Sequence, residues 1–238
     1  TIPTLVSFAG PDKILCYAPI RVKIKMRKAC IHMIIHICRI PGPAVTFSCD
    51  AYEEKVNRRF RDFGKRVQSI HRFASPTEAV ENAEAIIVGG GNTWALVRKL
   101  HELNLMEPIR QKVLAGTPYV GWSAGSNIAC PTMQTTNDMP ITNPLSFDTL
   151  GLVPFQINPH YTSKHIEGHG GETREERIIE YLAANPKATV VGLRESCMLK
   201  ITDNHIDYIG KNNLRLFQHG KEPLEIAPDE DFDFLLNL

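Results

Sequence analysis

The sequence predicts one α/β domain with a mostly parallel sheet, and three observations predict it. From residue 50 onward, short apolar runs alternate with stretches at helical spacing, the rhythm of β-α-β units. One run enters Gly121-Trp122-Ser123-Ala124-Gly125, a Gly-x-Ser-x-Gly turn from strand to helix. From Met198 the pattern changes to short strands and turns, which predicts a small antiparallel edge near the C-terminus. At 238 residues the chain suits one large domain, spanning 1–238, and it shows no internal repeat, linker or low-complexity segment.

The first 49 residues carry the weakest pattern. Leu5 to Ala9 reads as a first strand and Ile31 to Ile40 as a second, closed by Pro41-Gly42-Pro43. Between them Arg21 to Lys28 alternates basic with apolar residues. As a strand this segment turns one cationic face to solvent, and as a nucleic-acid patch it is short and lacks interleaved aromatics. Asp50 to Gly64 sets Tyr52, Val56, Phe60 and Phe63 at helical spacing, with Gly64 as the stop. Val67 to Ile70 is a short strand, Ser75-Pro76 a helix cap with its first-turn proline, and Ala85 to Val88 a compact buried strand. Gly89-Gly90-Gly91-Asn92-Thr93 follows at once. Trp94, Leu96, Val97 and Leu100 then mark a helix that Pro108 to Ala115 continues.

Beyond the Ser123 turn, Thr135 to Pro140 is polar and turn-rich. The apolar run at Leu152 and Val153 leads into Gln156-Ile157-Asn158-Pro159-His160, which puts His160 just past a strand. Glu172 to Arg177 opens a helix that runs to Pro186, and Thr189 to Leu193 is a buried strand ending at Arg194-Glu195. Leu199 to Thr202, His205 to Ile209 and Leu214 to Gln218 supply the antiparallel edge.

Composition narrows the class. Hydrophobic content of 43%, charged content of 22% and a net charge of +1 describe a globular protein with no global bias towards nucleic acid or membrane. No stretch approaches the roughly 20 apolar residues that span a bilayer, and the N-terminus lacks a cleavable signal pattern. The six cysteines, Cys16, Cys30, Cys38, Cys49, Cys130 and Cys197, form no Cys-x-x-Cys pair, which favours a reducing, cytoplasmic setting.

The chemistry gathers at the Gly-x-Ser-x-Gly turn. Glycines on both sides allow a sharp turn that lifts Ser123 into a cleft, and the helix start aims N–H groups, including that of Ala124, at an oxyanion forming there. A serine hydroxyl is a weak nucleophile at neutral pH, so Ser123 needs a base and the base an orienting acid. His160 is the candidate base among nine histidines, because it stands after a strand that follows the turn. Glu195, at a strand end, and Asp138, in a loop, are both candidate acids; Asp138 serves equally well as an Asx-turn residue.

The glycine run does not fit a nucleotide fingerprint, since Trp94 stands where Gly-x-Gly-x-x-Gly needs its third glycine and no Gly-Lys-Ser/Thr follows. At a strand's carboxyl end, Gly90 or Gly91 is better placed to give a second oxyanion donor, or the run is an ordinary turn. A metal site built from His160, His165, His169, Glu167 and Glu172 lacks helical spacing, because glycines interrupt it, and no metal or other cofactor is expected.

Five motifs together resemble the S51 family of serine peptidases: Val-Gly-Gly-Gly-Asn-Thr at 88–93, Gly-Trp-Ser-Ala-Gly at 121–125, Thr-Thr-Asn-Asp-Met-Pro at 135–140, Gln-Ile-Asn-Pro-His at 156–160 and Gly-Glu-Thr-Arg-Glu at 171–175. The resemblance covers roughly residues 50–220. It implies a cytosolic, metal-independent exopeptidase that splits dipeptides with N-terminal aspartate, on a three-layer αβα fold similar to class I glutamine amidotransferase domains. It makes Ser123 the nucleophile, His160 the base and either Glu195 or Asp138 the acid, with Glu195 preferred for its strand-end position. Arg174 matches the family's substrate-reading arginine, and a guanidinium reads a carboxylate bidentately. By itself Arg174 reads first as an exposed helix-start residue pairing with Glu175 or a neighbouring acid. Residues 10–48 depart from the family's opening strand, loop, helix and strand. The expected partner is a small dipeptide, with no nucleic acid and no membrane. Two alternatives stand beside this reading: a β-aspartyl, cyanophycinase-like serine hydrolase, and a non-catalytic module that binds acidic peptides through Arg174.

Overall fold

A computed structural model describes residues 5–8, 30–35, 48–163 and 170–238. The basic alternation at 21–28, the turn at 41–43, Cys16, Cys38, and His165, Glu167 and His169 lie outside the described residues. In chain order the elements are β1 (Leu5–Phe8), β2 (Cys30–Ile35), α1 (Cys49–Phe60), β3 (Arg66–Ser69), α2 (Pro76–Glu81), β4 (Ile86–Val88), α3 (Thr93–Glu102), α4 (Met106–Leu114) and β5 (Tyr119–Trp122). There follow α5 (Ala124–Ala129), β6 (Gln156–Pro159), α6 (Arg174–Ala184), β7 (Thr189–Leu193), β8 (Met198–Thr202), β9 (His205–Ile209), β10 (Leu214–Gln218) and β11 (Leu224–Ile226).

Side-chain alternation along the strands sets the layers. In β4 and β5, Ile86, Val88 and Tyr119 enter one apolar cluster, while Ile87, Val120 and Trp122 enter another with Val56 of α1. A sheet apolar on both faces needs cover on both, which is the setting of parallel strands. The seven-stranded sheet runs β3-β2-β4-β5-β1-β8-β9. Its first five strands pair in parallel, and β8 and β9 add the antiparallel edge that the C-terminal spacing predicts.

One mostly parallel sheet was the expectation; the structure has two. A second sheet, β11-β10-β7-β6, takes the strands on either side of α6. In β7, Val191 and Leu193 face the core shared with β4 and β5, whereas Val190 packs with Ile178 and Leu182 of α6. Buried on both faces, β7 is apolar from Val190 to Leu193, and an apolar run does not say which sheet it joins.

Local signals explain the helix ends. Ser48, Ser75 and Asn92 accept side-chain hydrogen bonds from Ala51, Glu78 and Ala95 N–H, and Thr173 forms a full capping box with Glu176. The helix expected to continue through Pro108 is instead two. Asn104 takes φ 52°, which ends α3, and Pro108 lies in the first turn of α4, where an N–H has no helical partner to lose. The strand before His160 is Gln156–Pro159 rather than the Leu152–Val153 run. Its polar residues are buried with their amide nitrogens bonded, Gln156 Nε2 to Thr132 Oγ1 at 2.6 Å and Asn158 Nδ2 to the Thr135 carbonyl at 2.9 Å. Cys49 is disulfide-bonded, which its isolated position in the sequence does not predict.

Asn57 ties α1 to β3 from a buried position, donating from Nδ2 to the Val67 carbonyl at 2.8 Å and accepting the Val67 N–H at 2.7 Å. Asn57→Ala strips both backbone groups of their partner and is expected to lower unfolding stability by about 1–3 kcal/mol in urea titration. A change below about 0.5 kcal/mol would mean that water replaces the side chain without loss.

Candidate active site

Ser123 links β5 to α5 with φ 55° and ψ −115°, outside the regions a serine normally occupies, a strain of about 1–3 kcal/mol. Its neighbours hold it there. A Cβ on Gly121 would lie 2.4 Å from the Gly125 carbonyl oxygen, and one on Gly125 would lie 2.1 Å from that of Val88. Tyr119 Oη donates to the Gly125 carbonyl at 2.6 Å, and the Ser123 carbonyl accepts from Ser126 and Asn127 N–H at 2.9 and 3.1 Å. The serine side is partly open to solvent while the rest of α5 is buried.

The glycine run leaves β4 beside this turn. A Cβ on Gly90 would sit 3.0 Å from Ser123 Cβ and 3.4 Å from its Oγ, so the glycine loop forms one wall against the hydroxyl. Gly91 takes φ 140°, a conformation that side chains rarely adopt. Tyr52 of α1 fixes the far side of this loop. Its hydroxyl is hydrogen-bonded to the Trp122 side chain and the Gly90 backbone, and burial pushes its pKa up to about 12. Sequence reading missed this role, because Tyr52 falls on the apolar stripe of α1 and its ring does pack there.

His160 follows β6 with φ 58°. Parallel pairing of β6 with β7 sets Pro159 opposite Leu193, so the residues just beyond both strand ends lie side by side. His160 Nδ1 meets Glu195 Oε1 at 2.5 Å. Arg174 opens α6, and its Nη1 donates to the His160 carbonyl at 2.7 Å and the Pro159 carbonyl at 3.3 Å. Burial lowers the Arg174 pKa. Among the described residues no carboxylate forms an ion pair with Arg174; Glu175 turns instead to Arg215 and Tyr161.

Asp138 bonds to the start of α3. Its Oδ2 accepts from Thr93 N–H at 2.7 Å, Thr93 Oγ1 at 2.6 Å and Thr136 Oγ1 at 3.2 Å, and its carbonyl accepts the Trp94 indole N–H at 3.0 Å. The carboxylate therefore holds the start of α3, where the helix dipole favours an anion. The same loop reaches the histidine strand through Asn137 Nδ2, which donates to the Pro159 carbonyl at 2.9 Å. Asn127 of α5 donates to the Ile157 carbonyl at 2.9 Å, so the helix that begins at Ser123 is bonded to the strand that ends before His160. Asn127 was legible only as a polar residue among small and apolar ones, and Asn137 only as part of a polar, turn-rich stretch.

Among the described residues, the one group of potential metal ligands is Asp50, Glu53 and His71. Arg72 already pairs with both carboxylates, at 2.6 and 2.5 Å, so a cation is supplied by the chain itself.

A strained serine at a strand-to-helix turn, walled by glycine backbone on an α/β scaffold, is the architecture of serine-dependent hydrolysis. The chain belongs to peptidase family S51, whose description matches residues 25–209. It is 53% identical over 200 residues to peptidase E of Nostoc sp., covering 84% of this chain and 83% of the relative. To peptidase E of Salmonella arizonae it is 46% identical over 193 residues, covering 81% and 84%. The crystal structure of a peptidase from an acI-B1 Actinobacterium shares the fold with a TM-score of 0.68 at 14% identity, covering 97% of this chain and 96% of that one.

The partners of Asp138 predict a structural effect. Asp138→Ala is expected to lower unfolding stability by about 1–2 kcal/mol in denaturant titration, because it strips a helix start of its acceptor. An unchanged midpoint would show that the bonds to Thr93 and Thr136 hold nothing in place.

Proposed function

We propose that this chain is a serine exopeptidase hydrolysing dipeptides with N-terminal aspartate through an acyl-enzyme. One observation carries the reading: Ser123 stands strained at the head of α5 with the Gly90 backbone against its hydroxyl. In this reading Ser123 attacks the aspartyl carbonyl while His160 takes its proton and returns it to the leaving amine. Glu195 fixes the imidazole through Nδ1, which leaves Nε2 for the serine. Asp138 is the lesser candidate for that task, since its bonds run to Thr93 and Thr136 whereas Glu195 meets the imidazole.

The N–H of Ala124 is the proposed first oxyanion donor. Gly91 is favoured over Gly90 as the second, because the Gly90 backbone is engaged by Tyr52. Arg174 is the proposed reader of the substrate carboxylate. It is half-buried and joined through the His160 carbonyl to the base, so a carboxylate held on its free edge would be placed relative to the imidazole.

The same reading extends to the finer fold. Covering α1 on one face of the seven-stranded sheet and α2, α4 and α5 on the other supports a three-layer arrangement akin to class I glutamine amidotransferase domains. The cytoplasm is the proposed place of action, as the resemblance to the family implies. No helix among the described residues is long and apolar enough to cross a membrane.

Hydrolysis of α-linked Asp-Leu, β-linked Asp-Leu and Leu-Leu tests this function, with Ser123→Ala beside the parent and a chelator in a parallel reaction. The expected outcome is chelator-resistant cleavage of α-linked Asp-Leu alone, reduced on the order of 10⁶-fold in Ser123→Ala. Preference for the β-linked substrate would assign a cyanophycinase-like hydrolase instead. Binding of Asp-Leu without turnover in the folded parent would leave only a binding module.

A further inference from the structure

Each of the three residues proposed for base, acid and substrate reading has a chain neighbour in one polar network. Tyr161 follows His160, Arg194 precedes Glu195, and Glu175 follows Arg174. Tyr161 Oη donates to Glu175 Oε2 at 3.0 Å, and the Arg194 guanidinium lies 5.2 Å from the Tyr161 ring centre. Arg215 Nη2 donates to both Glu175 oxygens at 3.2 and 3.3 Å. Glu225 closes the set. It accepts a bidentate pair from Arg194, Nη1 at 2.7 Å and Nη2 at 2.6 Å, and lies 3.5 Å from Arg215 Nη1.

The network is built into the second sheet. Register sets Gly192 of β7, Arg215 of β10 and Glu225 of β11 in one row across it. The Tyr161 ring lies on Gly192, where a Cβ would come within 2.8 Å of the ring. Arg194 and Arg215 side chains are each under a fifth exposed, so both guanidiniums are largely removed from water and depend on their acids. The Arg194 guanidinium holds the Glu225 carboxyl below its usual range, which keeps the pair ionised at neutral pH.

We propose that Glu225 is a positioning residue of the active site, acting through Arg194 and Tyr161 on the neighbouring Glu195 and His160; this rests on the reading of that site given above. Just past the ends of paired strands, holding one side chain limits the backbone freedom of the residue next to it. Anchoring Arg194 on one side of the chain fixes the direction of Glu195, which is itself more than half exposed. Anchoring Tyr161 does the same for His160. Bidentate Arg–carboxylate geometry suits the task, because two parallel bonds fix orientation as well as distance.

Glu225→Gln, Glu195→Gln and the double variant test the proposal by kinetics on α-linked Asp-Leu across the neutral pH range. The parent and Ser123→Ala run alongside, and thermal unfolding is recorded for each. Glu225→Gln is expected to fold and to lose about 10- to 100-fold in kcat with little change in KM, the cost of a misaligned base. In the Glu195→Gln background the same change should cost markedly less than in the parent, since one of the two groups it positions is already gone. Equal losses in both backgrounds, or an unchanged kcat, would overturn the proposal. Should Glu225→Gln fail to fold, Tyr161→Phe, which deletes only the hydroxyl bonded to Glu175, is judged by the same non-additivity. Turnover that survives Ser123→Ala, or is absent from the parent, would instead overturn the reading of the site on which the proposal depends.

Discussion

The close approach of Gly125 to Val88 is the contact on which the rest of the site hangs. The missing side chain lets the head of α5 settle onto the last carbonyl of β4, where a methyl group would lie 2.1 Å from that oxygen. Two consequences follow from one contact. The chain has no room to leave β5 gradually, so Ser123 takes the strained turn, and the loop emerging from β4 is brought against the serine. Strain of this kind persists only where its surroundings over-determine it. Here the Tyr119 hydroxyl on the Gly125 carbonyl, the buried α5 and the glycine at 121 do so together.

A second constraint, the parallel register of β6 on β7, delivers the histidine and the glutamate. Opposing Pro159 to Leu193 brings residues 160 and 195 to the same sheet edge, and the 2.5 Å contact between Nδ1 and Oε1 follows from that placement. These two strands belong to a different sheet from β4 and β5, so their position relative to β5 and α5 needs its own connection. Asn127 and the 135–138 loop supply it: each bonds a β6 carbonyl, and the loop also grips the start of α3 behind the glycine run.

Sequence revealed what depends on local chain chemistry. The turn around Ser123, the cap of α6 and the strand character of Thr189–Leu193 are short-range matters of glycine, capping residues and apolar runs, and each lies where the pattern puts it. The division into two sheets was not legible, since β7 is apolar on both faces wherever it is placed. Nor was the break between α3 and α4, because Asn104 is one of many polar residues able to take a positive φ. Tyr52 was read for its ring, while the hydroxyl, which carries the contact with the glycine loop, has no sequence signature.

The same limit explains why two acids competed for one role. Asp138 and Glu195 are both carboxylates near chain turns, and nothing in spacing distinguishes an acid that orients a ring from one that holds a helix. The structure separates them by the partners each carboxylate meets. Asp138 meets two hydroxyls and a backbone N–H at one oxygen, a neutral set of donors at the start of α3. Glu195 is more than half exposed, and its side-chain partner among the described residues is the imidazole. An acid with so little packing of its own has to be aimed by something else. The proposed source of that aim is the Arg194 pair with Glu225, one residue away and better shielded.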